Sequence, residues 1–197
     1  MITRSFPEAR EFLTNEVLGL GYPVKHLIEQ ARSKGHITRG KQGRGGGVVT
    51  SRDMAMLLAG ALVGDTPQVA SDAMGYLSTL IPNTLAMGTE EITDAGFKND
   101  QWNRPFIEVI ANIIDGFREN YHADFALLSV SVEREPIIYG KITWNLLPFE
   151  RDGFLCFEPP GSKYFRPDMN TKRRITASFD AVLLRSVADW LEGREGH

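Results

Sequence analysis

Basic side chains are concentrated in residues 22–52, where seven Lys and Arg residues stand against a single acid, Glu29. This basic segment has a net charge of +6, whereas the rest of the chain sums to −9 and the whole protein to −3. Lys and Arg neutralise nucleic-acid phosphates, and Arg, Lys and Gln side chains can contact base edges in a groove. The basic segment therefore predicts a local attraction to an anionic partner, although the protein as a whole is acidic.

The candidate DNA-contacting residues lie on a predicted helix of the basic segment and in the glycine-rich stretch that follows it. The apolar stripe of this helix leaves its polar side chains on other faces. The candidates are Lys25, His26, Gln30, Arg32, Lys34, Arg39, Lys41, Arg44 and Arg52. For the helical members, the alternative is the solvated face of an ordinary amphipathic helix, and the clustering of positive charge favours DNA binding over it.

Other residue combinations do not form a catalytic or metal site. Residues 35–41 match the first seven positions of a phosphate-binding loop, but Gln42 stands where a Ser or Thr must hold magnesium. The four histidines lack metal-ligand spacing with nearby acids, and Cys156 is the only cysteine. Glu133 and Glu135 fall in a predicted solvated turn. We therefore predict that the protein is not an enzyme and has no metal or other cofactor.

The N-terminal half of the chain is predicted to be helical around a glycine-rich loop. Pro7 suits the first turn of a helix, because backbone N–H groups there have no acceptor within the helix and the N–H that proline lacks is not needed. A tight break separates this helix from the second one. Five glycines in residues 40–47 exclude regular structure and predict an exposed loop. A third helix begins after a Thr50 or Ser51 cap, and a fourth begins near Pro67.

The C-terminal half of the chain is predicted to combine helices with β-strands, which makes the fold class α+β. Helix breakers in residues 82–100 predict a linker or long loop. After it we expect a helix with an apolar stripe from Trp102 to Phe117, capped by Asn103 or Asp100. A β-hairpin of residues 125–132 and 137–146 follows, and then short strands at 154–157 and 164–165. The chain closes with a last helix capped by Ser178 or Thr176.

Two stretches of the sequence resemble winged helix-turn-helix proteins of the MerR type. They are Ala31–Lys41 and Val49–Leu58, which match a recognition helix ending in glycine, a basic wing and a Ser/Thr-Arg-Asp helix start. The chain is also similar to prophage proteins in which Gly-Arg-Gly is followed by Thr-x-Arg-Asp-x-Ala-x-Leu-Leu. These resemblances imply a winged helix-turn-helix unit at residues 1–81, followed by a second unit at residues 101–197.

We expect the protein to bind double-stranded DNA as a homo-oligomer, because one helix-turn-helix rarely buries enough surface for tight specific binding. The prophage resemblance implies a transcriptional regulator or, like small terminase subunits, a protein that recognises viral DNA for packaging. It also suggests a phage or host protein as a further partner. The alternative is a non-catalytic adaptor or inhibitor, whose basic segment binds an acidic or nucleic-acid-bound partner.

Two further expectations concern the second unit and the location of the protein. DNA would repel the acidic remainder of the chain, so residues 101–197 are expected to face away from the duplex and to carry self-association or partner binding. The longest apolar runs are far shorter than the ~18 residues of a membrane span, and the N-terminus lacks a signal-peptide core. We therefore expect a cytoplasmic protein without a membrane partner.

Overall fold

The structure is a computed structural model that describes residues 3–16, 20–39, 47–82, 103–119, 125–134, 139–146, 151–161 and 175–194. Within these ranges the helices are α1 (Phe6–Glu16), α2 (Val24–Ser33), α3 (Ser51–Val63), α4 (Pro67–Leu77), α5 (Phe106–Arg118) and α6 (Ala181–Glu192). The strands are β1 (Ile81–Pro82), β2 (Phe125–Arg134), β3 (Tyr139–Leu146), β4 (Arg151–Glu158) and β5 (Ile175–Asp180). The predicted α+β class is confirmed.

Helix α3 is the central helix of the N-terminal part, because nearly all of its side chains are buried. Helices α4 and α5 both pack against it. Gly64 ends α3, and a Cβ atom at this position would lie 2.2 Å from the backbone nitrogen of Ala70. Only glycine therefore permits the close approach of α4 at this point.

The strands form one antiparallel sheet in the order β1-β4-β3-β2-β5. On β2, Leu128, Val130 and Val132 are buried, whereas Ser129 and Ser131 are half-buried, as expected for a strand with one face on the core. Helix α6 contacts both β2 and β5. The rings of Phe106 on α5 and Phe157 on β4 lie 5.0 Å apart, so α5 also packs on the inner face of the sheet.

Residues from both halves of the chain contribute to one hydrophobic core. Helix α1 reaches the last helix, because Arg4 Nε donates to the carbonyl oxygen of Trp190 at 2.8 Å and the Phe12 ring stacks on the Trp190 indole at 5.1 Å. The predicted division into units at 1–81 and 101–197 stays a prediction. Most of the predicted linker, residues 83–100, lies outside the described residues.

The start of the last helix was predicted wrongly. Thr176 and Ser178 do not cap it, because both lie in strand β5, which pairs with β2. The cap is Asp180, whose carboxylate accepts the backbone N–H of Leu183 at 3.1 Å. Phe179 is a buried residue of strand β5. The apolar stripe that predicted the last helix therefore included a residue of the strand before it.

The Asn103 cap predicted for α5 is also wrong, and Asp100 lies outside the described residues. Pro105 occupies the cap position without a side-chain hydrogen bond. The backbone N–H of Phe106 instead donates to the carbonyl oxygen of Leu80 at 2.9 Å. A long-range backbone acceptor thus replaces the local side-chain cap.

The turn predicted at Glu133 is wrong, because β2 continues to Arg134 and Glu133 pairs with Tyr139 of β3 and Thr176 of β5, while Glu135 lies outside the described residues. Pairing with a strand on each side extends β2 into the polar break.

Several other local predictions are confirmed. Thr50 caps α3, and β2 pairs with β3 as the predicted hairpin. Strand β4 is longer than predicted, because it begins at Arg151. Trp102 and the predicted strand at residues 164–165 lie outside the described residues.

Candidate nucleic-acid interface

Asp53 joins the two ends of the stretch that contains the predicted glycine-rich loop. Its side chain lies in the first turn of α3 and is only 2% exposed. One carboxylate oxygen accepts the backbone N–H of Thr38 at 2.8 Å, and the other accepts the Thr38 hydroxyl at 3.1 Å. The second oxygen also accepts the backbone N–H and the hydroxyl of Thr50, at 2.9 and 2.8 Å. We call this arrangement of Thr38, Thr50 and Asp53 the Asp53 clamp.

The Asp53 clamp combines a helix cap with a long-range link. Thr50 and Asp53 form a capping box, since the Thr50 hydroxyl also accepts the backbone N–H of Asp53. Thr38 adds hydrogen bonds from a residue that lies before the predicted loop. The clamp therefore holds the start and the end of this basic stretch beside the N-terminus of α3.

Helix α2 presents the polar face that the sequence predicted. Val24, Leu27, Ile28 and Ala31 are buried, whereas Lys25 and His26 are exposed and Gln30 is half-buried. Lys25 Nζ lies 3.7 Å from a carboxylate oxygen of Glu29 on the same helix. Both side chains of this pair are more than half exposed, so solvent screens the pair and a phosphate can replace Glu29.

Two candidate cations pair with acids from outside the basic segment. Lys34 forms an ion pair with Asp72 of α4 at 2.5 Å. Arg52 Nε lies 2.6 Å from a carboxylate oxygen of Glu108 on α5. These acids partly neutralise the positive charge that the sequence concentrates between residues 22 and 52.

Two other candidate cations have no acidic partner within the part of the chain that the structure describes. The Arg32 guanidinium lies over the Phe6 ring, 4.4 Å from its centroid. Arg39 is exposed and donates to the carbonyl oxygen of Ser33 at 3.2 Å. Because these contacts leave the positive charge unneutralised, Arg32 and Arg39 remain available to attract an anion.

The last turn of α2 gives Arg39 its position. Gly35 follows this helix with a φ of +75°, a left-handed conformation that ends helices and that glycine adopts without strain. The chain then returns towards α3, so that Arg39 reaches back to α2. Lys41 and Arg44 lie outside the described residues.

The chain after the predicted loop runs beside the start of α1. Val48 forms an antiparallel bridge with Ser5, and the backbone N–H of Val49 donates to the carbonyl oxygen of Arg4 at 2.9 Å. Val49 is buried, whereas Val48 is about half exposed. The residues that follow the predicted loop are therefore hydrogen-bonded to the segment just before α1 as well as to the start of α3.

His36, which belongs to the basic segment, packs against α4. A Cβ atom at Gly75 would lie 3.0 Å from its Cε1 atom, which means that the ring rests against the α4 backbone. Burial lowers the pKa of His36, and the nearby Lys34 charge lowers it further, while Asp72 and a hydrogen bond to the Ser71 backbone oppose the change. The folded protein therefore favours the neutral imidazole.

We expect the stability of the protein to fall as the pH drops because of His36. Its pKa is lower in the folded than in the unfolded chain, so the unfolded state binds the proton more readily. The contribution is complete above the unfolded pKa of about 6.5 and is lost as the pH falls through the folded pKa. Denaturant titrations of the parent and the His36→Gln variant at pH values of about 7 and about 5 measure this difference. An equal loss of unfolding free energy in both proteins would contradict the prediction.

The cations of this surface were visible in the sequence, but the role of Asp53 was missed. Thr50-Ser51-Arg52-Asp53 carries the signal for a capping box with Asp at its fourth position. The link to Thr38 has no local signal, because the two residues lie 15 positions apart. The pairing of Lys34 with Asp72 and of Arg52 with Glu108 equally depends on how the helices pack.

The described residues contain little that suggests a small-molecule or metal site. A cavity of about 10 Å³ lies among α1, α2 and α3, which is the space of about one water molecule. Its lining is entirely apolar and consists of Leu13, Leu20, Val24, Leu27, Leu57, Leu58 and Ala61. Within the described ranges, no three His, Cys, Asp or Glu side chains are grouped to bind a metal ion. None of the described helices has both the length and the apolar character that crossing a membrane requires.

Comparison with known proteins gives no relative from which a role could be transferred. No protein-family model matches the chain. No curated protein and no solved structure matches it either. A functional role is therefore inferred from the residues described above.

Proposed function

We propose that the protein binds double-stranded DNA through the exposed polar face of α2 and the basic loop whose ends the Asp53 clamp holds. The observation that carries this proposal is the clamp, because a buried carboxylate with four hydrogen bonds holds both ends of an Arg- and Gly-containing stretch. The glycine-rich loop predicted between these ends can follow phosphates, because glycine lets the backbone approach them. Lys25, His26 and Gln30 extend the same basic segment along α2.

Phosphate contacts from this surface are expected to supply affinity, and α2 is expected to supply base contacts. Arg32 and Arg39 keep their charge unneutralised within the described residues, which supports attraction to phosphates. Gln30 and Lys25 are side-chain types that can contact purine edges in a major groove. The biological role proposed with this binding is that of a phage-type regulator or of a protein that recognises viral DNA for packaging.

Neutralising two exposed cations tests the proposal. In the Lys25→Gln/Arg39→Gln variant, we expect duplex affinity to fall on all sequences and the slope of log affinity against log salt to decrease by about 1 per cation. Fluorescence anisotropy with labelled duplexes at salt concentrations of about 50 and about 200 mM measures both quantities.

The matched control removes two exposed cations elsewhere. Arg10 on α1 and Arg185 on α6 are exposed, and the Arg10→Gln/Arg185→Gln variant has the same net charge as the test variant. We expect this control to bind duplex DNA with nearly the parent's affinity and salt slope. Equal losses in the two double variants would indicate a general charge effect, and parent protein that does not bind duplex DNA would overturn the proposal.

The second candidate function is a non-catalytic adaptor or inhibitor that binds an acidic protein. The ion pairs of Lys34 with Asp72 and of Arg52 with Glu108 favour it, because they leave fewer cations for a run of phosphates. An adaptor would bind its partner without measurable affinity for free duplex. The anisotropy experiment on the parent protein therefore separates the two functions.

A further inference from the structure

Strand β5 forms an edge of the sheet that no other described strand covers. It pairs on one side with β2, and the strand order ends there. In an antiparallel edge strand, alternate residues direct their backbone N–H and C=O groups away from the sheet. Along β5 these groups form a template on which a further strand can be added.

The β5 edge has none of the features that usually prevent such pairing. Its sequence, Ile-Thr-Ala-Ser-Phe-Asp, contains neither proline nor Lys nor Arg, and its register with β2 runs without a bulge. The only charge, on Asp180, is used at the end of the strand to cap α6. The opposite edge differs, because β1 has two residues and ends in Pro82.

From this edge we propose that two copies of the chain pair through β5, antiparallel to each other, to form a two-fold dimer with a continuous sheet. A two-fold axis perpendicular to the sheet keeps both core faces on the same side, so residues that pair across it must share a face. With the axis at Ser178, this residue faces its own copy, Ala177 faces Phe179, and Thr176 faces Asp180.

This pairing of β5 with itself is chemically compatible along the strand. Ala177 and Phe179 lie on the core side, so the small side chain of one copy meets the large one of the other. Ser178 and Asp180 lie on the outer side and are exposed, and no charge faces a like charge. Shifting the axis to Ala177 preserves the faces in the same way and again opposes no like charges.

An exposed apolar side chain adjoins the same edge. Val182 lies two residues beyond β5, at the start of α6, and is 71% exposed. A single exposed valine is ordinary on a protein surface. Here it follows β5 closely in the chain, so exposed apolar area lies near the end of the strand whose outer side no described strand covers. The second copy is the occupant that satisfies both the backbone pattern and the face pattern with the same six residues.

Light scattering of the full chain over a range of concentrations tests this dimer. We expect twice the mass of one chain for the parent and the mass of one chain for Ser178→Lys. The substitution places a lysine on the edge strand for either axis, and with the axis at Ser178 it also opposes two like charges. Thr14→Lys adds the same charge at an exposed position of α1 and is expected to remain dimeric. A monomeric parent, or Ser178→Lys with the parent's mass, would overturn the proposal.

Disulfide formation between two copies tests whether β5 is the pairing surface, and this test does not depend on weakening the dimer by substitution. Cys156→Ser provides a cysteine-free background, in which Ser178→Cys or Ala177→Cys is oxidised and run on a non-reducing gel. Directly opposed residues of an antiparallel pair have Cα atoms about 4.5 to 5.5 Å apart, within the range that a disulfide spans. A covalent dimer with either cysteine supports the pairing and identifies the axis. Dimeric protein that cross-links with neither would show that another surface pairs. Neither result depends on DNA binding, so this inference and the proposed function fail separately.

Discussion

Asp53→Ala is expected to lower the free energy of unfolding by about 3 kcal/mol, since the lost helix cap costs about 1 kcal/mol and each of two backbone N–H groups without its acceptor costs about 1. The hydroxyls of Thr38 and Thr50 add little, because both residues are exposed and water can accept from them. The substitution removes the acceptor of two backbone N–H groups, on Thr38 and Thr50, and of both threonine hydroxyls. Chemical denaturation measures the change as a shift of the midpoint at constant slope. Asp72→Ala provides the control, because the Asp72 side chain is 63% exposed and solvent screens its pair with Lys34, so the loss of this pair is expected to change the unfolding free energy much less.

Asp53→Asn separates the functional part of this prediction from the structural part. If its oxygen takes the position that accepts from Thr50 and from the Thr38 hydroxyl, the amide nitrogen faces the backbone N–H of Thr38. Two donors then oppose each other, so the Thr38 end of the loop is loosened while the Thr50 end is kept. We expect this variant to fold, to retain α3, and to bind duplex DNA more weakly with a smaller salt slope. An Asp53→Asn protein with the parent's affinity and slope would mean that the clamp stabilises the fold without positioning the loop.

Local patterns predicted those parts of the structure that local interactions determine. The buried face of α2 follows from apolar residues three and four positions apart, and the start of α3 follows from Thr50 as a cap. The β2–β3 hairpin follows from two runs of strand-forming residues on either side of a polar break. In each case the interacting residues are close in the sequence.

The remaining features depend on contacts between distant residues. Strand β5 is six residues long and continues directly into α6, so its apolar residues merge with the helical stripe. Its placement depends on pairing with β2, which lies far back in the chain. At the candidate interface, the partners of Lys34 and Arg52 come from α4 and α5. A count of charges therefore located the basic segment but overestimated the charge that it leaves unpaired.

A second large effect is expected from truncation, because helices from both halves of the chain share polar contacts as well as the core. Ser51 at the start of α3 donates to Asp115 on α5. Arg118 on α5 donates to both Ser51 and Asp115, and its guanidinium also binds Glu192 on α6 at 2.7 Å. The carboxylates of Asp115 and Glu192 raise the pKa of Arg118 against the effect of its burial. Three helices are thus joined at one end of the core.

We expect a chain that ends at Asp100 to be unfolded. It lacks α5, α6 and strands β2 to β5, so α3 would expose apolar side chains on the faces that α5 and α6 cover. It also lacks Trp190, which accepts from Arg4 and stacks on Phe12. Fully burying one large aliphatic or aromatic side chain contributes about 1.5 to 3 kcal/mol, so exposing several costs an amount comparable with the ~5 to 15 kcal/mol by which domains are stable. A chain that ends at Arg194 keeps these contacts and is expected to melt like the parent.

Circular dichroism melting curves and the dispersion of amide proton signals measure whether the chain that ends at Asp100 folds. Cooperative melting with dispersed signals would mean that residues 1–81 fold as a unit of their own, and that the contacts of α3 with α5 and α6 form an interface between units. Unfolded protein would mean that the helices carrying the basic segment need the sheet side of the molecule for their stability. The DNA-binding surface could then not be isolated by truncation, and its contacts would have to be measured by substitution in the full chain.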